Sequence, residues 1–308
     1  MAVFFEINHL PAFNNAVLTI GTFDGVHMGH KVILKSVAEQ ARDMNGESVL
    51  ITFEPHPRKL LFPEQPLKLL TPLEQKLKLI EAAGIQNIVV VPFTQDFAGL
   101  SAQEYVENFL VEYFHPRSII IGYDHHFGHD RKGNIELLKE FATKYQYRLV
   151  EIPAQLIESA AVSSTKIRRA LEQGHVHEAA QMLGRNYSIT GAVVKGSQLG
   201  RTIGYPTANI MPAEPEQLIP ANGIYAVRVK WDGHLFGGMM SIGFNPTVTE
   251  KKDLRIEVNL FDFDRDIYNH MLKIEFVAWL REEEKFNSID ELKEQLAKDK
   301  IATLKVLE

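Results

Sequence analysis

The sequence predicts an α/β domain built on a doubly wound open sheet, followed by a small antiparallel β domain that closes with a helix. Three observations support this. Up to about residue 150, short apolar runs alternate with amphipathic helical stretches, the pattern of βαβ units. Beyond Leu183-Gly184-Arg185 the apolar period changes to two, with turn residues between the runs, as in antiparallel strands with one face in a core. At 308 residues the chain is also long for a single core and comfortable for two.

In the first part, strands are expected at 17–20, 49–53, 88–91 and 118–121. Several are continuous apolar runs, as strands buried on both sheet faces should be. A helix over 31–44 carries Ile33, Val37, Ala41 and Met44 at helical spacing and stops at Asn45-Gly46. Thr71-Pro72-Leu73-Glu74 has the form of a capping box with proline at the first helical position, and Ser101-Ala102-Gln103-Glu104 repeats the box. A helical stretch over 164–183 joins the two parts, with the domain boundary expected between 183 and 184.

In the second part, period-two runs fall at 187–194, 224–230, 254–261 and 272–280. In the third of these, Leu254, Ile256, Val258 and Leu260 form the apolar side, opposite Arg255, Glu257, Asn259 and Phe261. A terminal helix starts near Ser288, with Glu291 as capping partner and Ile289, Leu292 and Leu296 on one side. The expected architecture is a small β-barrel or sandwich with a C-terminal helix.

Composition narrows the chemistry. Hydrophobic residues make up 45% and charged residues 23%, a globular profile. No stretch approaches the roughly 20 apolar residues of a membrane helix, and the first residues lack the basic region and cleavage site of a signal peptide. There is no cysteine, which excludes disulfides, zinc-thiolate sites and cysteine nucleophiles and fits a cytoplasmic enzyme. A net charge of −6 argues against broad nucleic-acid binding.

Gly21-Thr22-Phe23-Asp24-Gly25-Val26-His27-Met28-Gly29-His30 links the first strand to the first long helix. Such a strand-to-helix turn offers backbone N–H groups and the positive helix end to an anion. The glycines allow close approach. His27 and His30, three apart, can face one side and donate hydrogen bonds to an α-phosphate as pyrophosphate leaves. The string resembles the signature of the bacterial FAD synthetase family, within the nucleotidyltransferases that carry His-x-Gly-His. The resemblance implies a nucleotide site at Gly21, Phe23, Asp24 and Gly29, with His27 and His30 catalytic. Phe53-Glu54-Pro55-His56-Pro57 resembles that family's second motif, implying that Phe53, Pro55, His56 and Pro57 lie beside the flavin.

Gly122-Tyr123-Asp124-His125-His126-Phe127-Gly128 follows the fourth strand and is similar to the family's Gly-x-Asp/Asn-Phe-x-Phe-Gly, with His125 where phenylalanine is usual and Asp124 at the nucleotide position. This context accounts for His125, His126, His129 and Asp130 better than a metal site does. Val162-Ser163-Ser164-Thr165-Lys166-Ile167-Arg168 opens a helix with hydroxyls and a cation suited to the β- and γ-phosphates of ATP. It resembles the family's Ser-Ser-Thr-x-x-Arg, implying contacts from Ser164, Thr165 and Arg168.

A second constellation spans 191–209. Gly196, Gly200 and Gly204 would let phosphates approach the backbone, and Thr207 and Asn209 offer oxygen ligands to magnesium. Gly-Arg-x-x-Gly-Tyr-Pro-Thr-Ala-Asn looks like the hallmark of riboflavin kinases, implying the ATP–magnesium site. Phosphoryl transfer also needs a base near the substrate hydroxyl. Glu257, on a polar strand face, is the candidate, and its surroundings resemble the kinase motif Glu-x-His-Leu-Phe-Asp-Phe-Asp, with Asn259 replacing the histidine. Asn245-Pro246-Thr247 resembles another kinase element near the substrate. Leu280-Arg281-Glu282-Glu283-Glu284-Lys285-Phe286 matches a closing kinase motif in which Arg281 borders the flavin, the acidic run reading as a solvated segment.

Two motif sets in this order resemble the bacterial bifunctional riboflavin kinase/FAD synthetase (FMN adenylyltransferase) family. That implies a Rossmann-like nucleotidyltransferase domain at 1–183 and an antiparallel β-barrel riboflavin kinase domain at 184–308. It also implies riboflavin, FMN and ATP as small-molecule substrates, Mg2+ with ATP, no membrane or nucleic-acid partner, and a monomer or weak homo-oligomer. A nucleotidyltransferase for another substrate would leave the second domain without a purpose. A non-catalytic flavin-binding protein would not need His27, His30, Thr207, Asn209 and Glu257 together.

Overall fold

The computed structural model describes residues 1–123, 125–154, 162–196, 199–244 and 254–308, with the backbone alone for Leu199 and Phe244. The chain forms two compact units that divide after Ser164.

The first unit contains a six-stranded sheet: β1 (Ala2–Phe4), β2 (Val17–Ile20), β3 (Ser48–Glu54), β4 (Asn87–Pro92), β5 (Ser118–Gly122) and β6 (Arg148–Ile152). Its order is β1-β4-β3-β2-β5-β6, and every neighbouring pair is parallel. The period-two alternation explains the continuous apolar runs. Leu18, Ile20, Val49, Ile51, Val89, Val91, Ile119 and Ile121 face one core, while Val17, Leu50, Ile88, Val90 and Ile120 face the other. The first core is capped by helix 102–114, through Tyr105, Phe109 and Phe114, and the second by α1 (Met28–Asp43), through Ile33, Leu34 and Val37.

One expected cap differs. Ser101 forms both halves of its capping box with Glu104. The helix Leu73–Ala82, however, starts from Pro72 with no side-chain cap, and the Thr71 N–H donates to the Asp24 carboxylate at 3.0 Å. A long-range acceptor has displaced the local one.

In the second unit, β7 (Ser188–Val194), β8 (Ala208–Pro212), β9 (Gly223–Trp231), β10 (His234–Phe244), β11 (Leu254–Leu260) and β12 (Met271–Arg281) close an antiparallel barrel in the order β10-β11-β8-β7-β12-β9. The fold is thus a barrel rather than a sandwich. The C-terminal helix Ile289–Leu307 packs on β9, β10 and β12, with Ser288 accepting from the Glu291 N–H at 3.2 Å. Of its expected apolar side, Leu292 and Leu296 are half-buried but Ile289 is exposed, and the fully buried positions are Asp299 and Thr303. Arg281 explains this, because its Nε and Nη2 donate to the two Asp299 carboxylate oxygens at 2.9 and 2.7 Å. Leu254 is likewise exposed, at the end of its strand.

The stretch 164–183 is two helices, Ser164–Glu172 and Val176–Leu183. Beyond Ser164 they pack with the barrel unit: the Ala221 N–H donates to the Leu171 carbonyl, and Val176–Leu183 lies against β12. By compactness the division therefore falls ahead of 183/184. Among the described residues, no helix is long and apolar enough to cross a membrane.

Candidate active sites

In the first unit, β2 is where the strand order reverses, with β3 on one side and β5 on the other. The crevice beyond the carboxyl ends of strands at such a reversal is where open α/β sheets bind ligands. Loop 21–30 leaves β2 there, Phe53 to Pro57 leaves β3, and the chain after Gly122 leaves β5. Three motifs far apart in sequence thus emerge at one sheet edge.

The loop after β2 is built under constraint. Phe23, Gly25 and Val26 have φ of 48°, 87° and 40°. A β-branched residue at positive φ is strained, a feature that clusters at ligand sites. Two anchors hold it. The buried Asp24 carboxylate accepts from the Leu70 and Thr71 N–H groups, and the Asp24 carbonyl accepts from Ser164 Oγ at 2.9 Å. Asp24 and Ser164 therefore shape the loop with these groups. Gly21 lies under the ring of Phe23, which is buried in the core with Val26.

His27 is the N-cap of α1, its Nδ1 accepting from the His30 N–H at 3.2 Å. In the neutral ring this leaves the proton on Nε2, a donor. The His27 and His30 rings stack at 3.6 Å between centroids and 14° between planes, and Phe23 packs on His30 at 5.0 Å. His30 Nδ1 is buried and unpartnered. A proton there would be a donor with no acceptor, so the Nε2–H tautomer is favoured in His30 as well. Burial, then His27 and Lys76, hold the His30 imidazole well below its ordinary pKa. Gly29 is buried in the first turn of α1. Paired imidazole N–H donors at a helix N-terminus suit a polyphosphate.

Phe53 is buried against Phe93 and Phe97, with centroids 5.5 and 5.6 Å away. Pro55 is exposed, while His56 and Pro57 are half-buried, His56 capping the helix Pro57–Leu61 by accepting from the Arg58 N–H. Asp124 lies outside the described residues. His125, where the family pattern has phenylalanine, stacks on Phe127 at 5.8 Å and 29°. Thr165 is exposed and Arg168 half-buried on the helix that packs with the second unit.

The sequence reading missed Lys76. It is buried on the helix Leu73–Ala82, and its Nζ donates to the Thr22 carbonyl at 3.3 Å and to Thr52 Oγ1 at 3.1 Å. The available signal was a lysine in register with Leu73 and Ile80, on the face that enters the core.

In the second unit, Asn209 of β8 stands directly opposite Glu257 of β11, which in turn faces Ser241 of β10. Cross-strand partners share a face, so the candidate ligand and the candidate base are neighbours. Arg255 Nη2 donates to Glu257 Oε1 at 2.7 Å, while Oε2 has no partner among the described residues. A Cβ on Gly196 would fall 2.0 Å from Asn209 Nδ2, and one on Gly200 2.2 Å from the Tyr205 carbonyl oxygen. These glycines let the loop fold over Thr207 and Asn209. Gly204 turns the chain with φ of 87°. Asn259 Nδ2 donates to the Pro206 carbonyl at 2.6 Å and so holds the loop's end. Arg281 is fully engaged by Asp299 and the Glu282 carbonyl. Glu283 is more than a solvated segment, since Ser241 Oγ donates to it at 3.0 Å. Residues 245–247 lie outside the described residues.

The FAD synthetase family model matches residues 10–166, and the riboflavin kinase family model matches residues 183–307. A curated relative from Listeria monocytogenes is 38% identical over 286 residues, covering 92% of this chain and 90% of the relative. One from Buchnera aphidicola is 37% identical over 298 residues, covering 95% of each. Both are described as bifunctional riboflavin kinase/FMN adenylyltransferases. A crystal structure from Streptococcus pneumoniae, described as a macrolide-efflux protein, is 31% identical with a TM-score of 0.89, covering 98% of this chain and 97% of that one.

Proposed function

Since the chain belongs to the bifunctional riboflavin kinase/FMN adenylyltransferase family, enzymes of flavin cofactor synthesis, we propose how its residues divide the two reactions. Residues 184–308 phosphorylate riboflavin with ATP, and residues 1–183 adenylylate the FMN so formed. The observation that carries this reading is that a histidine pair stands at the switch point of a parallel sheet and an Asn–Glu pair stands across the strands of a separate barrel.

In the kinase reaction Glu257 Oε2 takes the proton of the ribityl 5′-hydroxyl as that oxygen attacks the γ-phosphorus and the bond from it to the β–γ bridging oxygen breaks, releasing ADP, while Arg255 steadies the other carboxylate oxygen. The loop over Gly196, Gly200 and Gly204 holds the phosphates. Thr207 and Asn209 would hold Mg2+ brought in with ATP: both are half-buried neutral oxygen donors, one at the end of this loop and one on β8, a set that suits a hard cation completing its shell with phosphate oxygens. The ion would supply charge neutralisation on the transferring phosphoryl group. Arg281 borders the flavin through its stem, its head being tied to Asp299.

In the adenylyl transfer the FMN phosphate attacks the α-phosphorus of a second ATP and pyrophosphate leaves. His27 and His30 donate to the oxygens that gain charge, with no covalent intermediate. Gly21, Phe23, Asp24 and Gly29 form the loop around the nucleotide. Asp124 contacts it as well, and Ser164, Thr165 and Arg168 take the β- and γ-phosphates. Phe53, Pro55, His56 and Pro57 border the flavin. Both reactions belong to the cytoplasm, on a monomer or weak homo-oligomer without nucleic-acid or membrane partners.

Separable lesions test the division. Glu257→Ala abolishes FMN formation and spares FAD formation from supplied FMN, and His30→Ala does the reverse. Loss of both activities from either folded variant would sink the assignment.

A further inference from the structure

We infer that Lys76 is a positioning residue for adenylyl transfer, a buried ammonium that holds the Thr22 peptide and sets the charge behind the phosphate loop. This deepens the reading that the first unit adenylylates FMN and rests on it. Lys76 is 6% exposed, and its Nζ bonds to the Thr22 carbonyl and Thr52 Oγ1. Thr52, wholly buried on β3, donates its own hydroxyl proton to the same carbonyl at 3.2 Å. Lysine, Thr52 and Thr22 thus close a triangle beneath the first residues of loop 21–30.

Among the described residues no carboxylate forms an ion pair with this ammonium. Asp24 is engaged by Leu70 and Thr71, and it and Glu54 act on Lys76 only through space. Burial holds the ammonium below its ordinary pKa, and those two carboxylates oppose the shift. A buried cation whose hydrogen bonds go only to neutral oxygens carries a large desolvation penalty. A core position in register with Leu73 and Ile80 would accept leucine or methionine at no such cost. The charge makes sense if a polyanion compensates it from the far side of the loop.

Lys76 also acts on the histidine pair. The groups that face His30 are His27 on its own loop, the Phe23 ring, and Lys76 from the helix Leu73–Ala82. A fixed positive charge there keeps His30 a neutral donor until the phosphates arrive. It also resists movement of the Thr22 peptide while charge redistributes, which is the preorganisation that makes buried electrostatics effective in catalysis.

The test uses the full-length protein with Lys76→Met, Lys76→Arg and Thr52→Val. For Lys76→Met, kcat/KM for ATP in FAD formation from supplied FMN should fall at least about tenfold, while FMN formation from riboflavin stays unchanged and an unaltered far-UV circular dichroism spectrum reports that the first unit is folded. Lys76→Arg should recover part of the loss, and Thr52→Val, which keeps the cation, should lose less than Lys76→Met. The His30 ring titration, followed by NMR and identified by its absence from His30→Gln, should move upward in Lys76→Met. FAD formation at the wild-type rate, or a loss with no movement of that titration and no recovery by arginine, would overturn the inference. Absence of FAD formation by the wild-type protein would instead defeat the underlying reading.

Discussion

Substitution of Gly196 by alanine probes the kinase loop at its tightest point. The added Cβ would lie 2.0 Å from Asn209 Nδ2, 2.4 Å from Cγ and 2.6 Å from Oδ1. Asn209 is held by register on both sides, to Val194 of β7 and to Glu257 of β11, so its backbone has little freedom to retreat. Relief to ordinary contact at 3.4 Å requires the side chain or the loop to shift by about 1.4 Å, and even a misplacement of about 1 Å costs on the order of 100-fold in rate, or about 2.7 kcal/mol of barrier. FMN formation by Gly196→Ala should therefore fall about 100-fold, with adenylylation of supplied FMN intact. Asn209→Ala should be similarly impaired, and the double variant no worse than Asn209→Ala alone, because the clashing group is gone. Initial rates of FMN formation, separated by chromatography at saturating riboflavin and ATP, give the comparison. A Gly196→Ala enzyme within about threefold of wild type, or multiplicative losses in the double variant, would refute the assignment of Asn209 to the site.

Other perturbations reach different parts of the account. Since the folded state holds His30 below its ordinary pKa, the unfolded chain binds the extra proton. Stability is therefore full above about pH 6.5 and falls as pH drops below it, by at most about 1.4 kcal/mol per pH unit for one proton. Urea unfolding of wild type against His30→Gln checks this, and equal pH slopes would contradict it. Arg281→Met strands the buried Asp299 carboxylate and should cost about 3–5 kcal/mol, seen as a lowered unfolding midpoint of the kinase unit and largely recovered by adding Asp299→Leu. An unchanged midpoint in Arg281→Met would mean that this pair does not secure the terminal helix.

Strands β2 to β5 were legible to within a residue or two because continuous apolar runs buried on both faces leave little else for the chain to do. The edge strands were not. β1 has only three residues, and β6 begins at the exposed Arg148 and carries Glu151, also exposed. β10 was hidden by Gly237, Gly238 and Gly243, which depress strand propensity yet are required where Leu307, Asn259 and Glu283 press on the backbone. Ile289 and Leu254 were placed on apolar sides from periodicity alone, which carries no information about where an element ends or what covers it.

The motifs after β2 and β3 were read correctly as leaving strand ends, but what each residue touches was less accessible. Asp24 is occupied by backbone groups some 46 positions away, and Lys76 reveals itself only when helix, strand and loop meet. Asn259, an apparent departure from the kinase pattern, keeps a definite task by holding Pro206.

The central claim is that one polypeptide transfers two different parts of ATP to the same flavin. It is tested most directly by incubating the purified protein with riboflavin and Mg2+, supplying ATP radiolabelled either at the γ- or at the α-phosphorus, and isolating the FAD. The account predicts that γ-label enters the FMN phosphate and α-label enters the adenylyl phosphate of that product. Label from only one position, or riboflavin recovered unchanged, would contradict it.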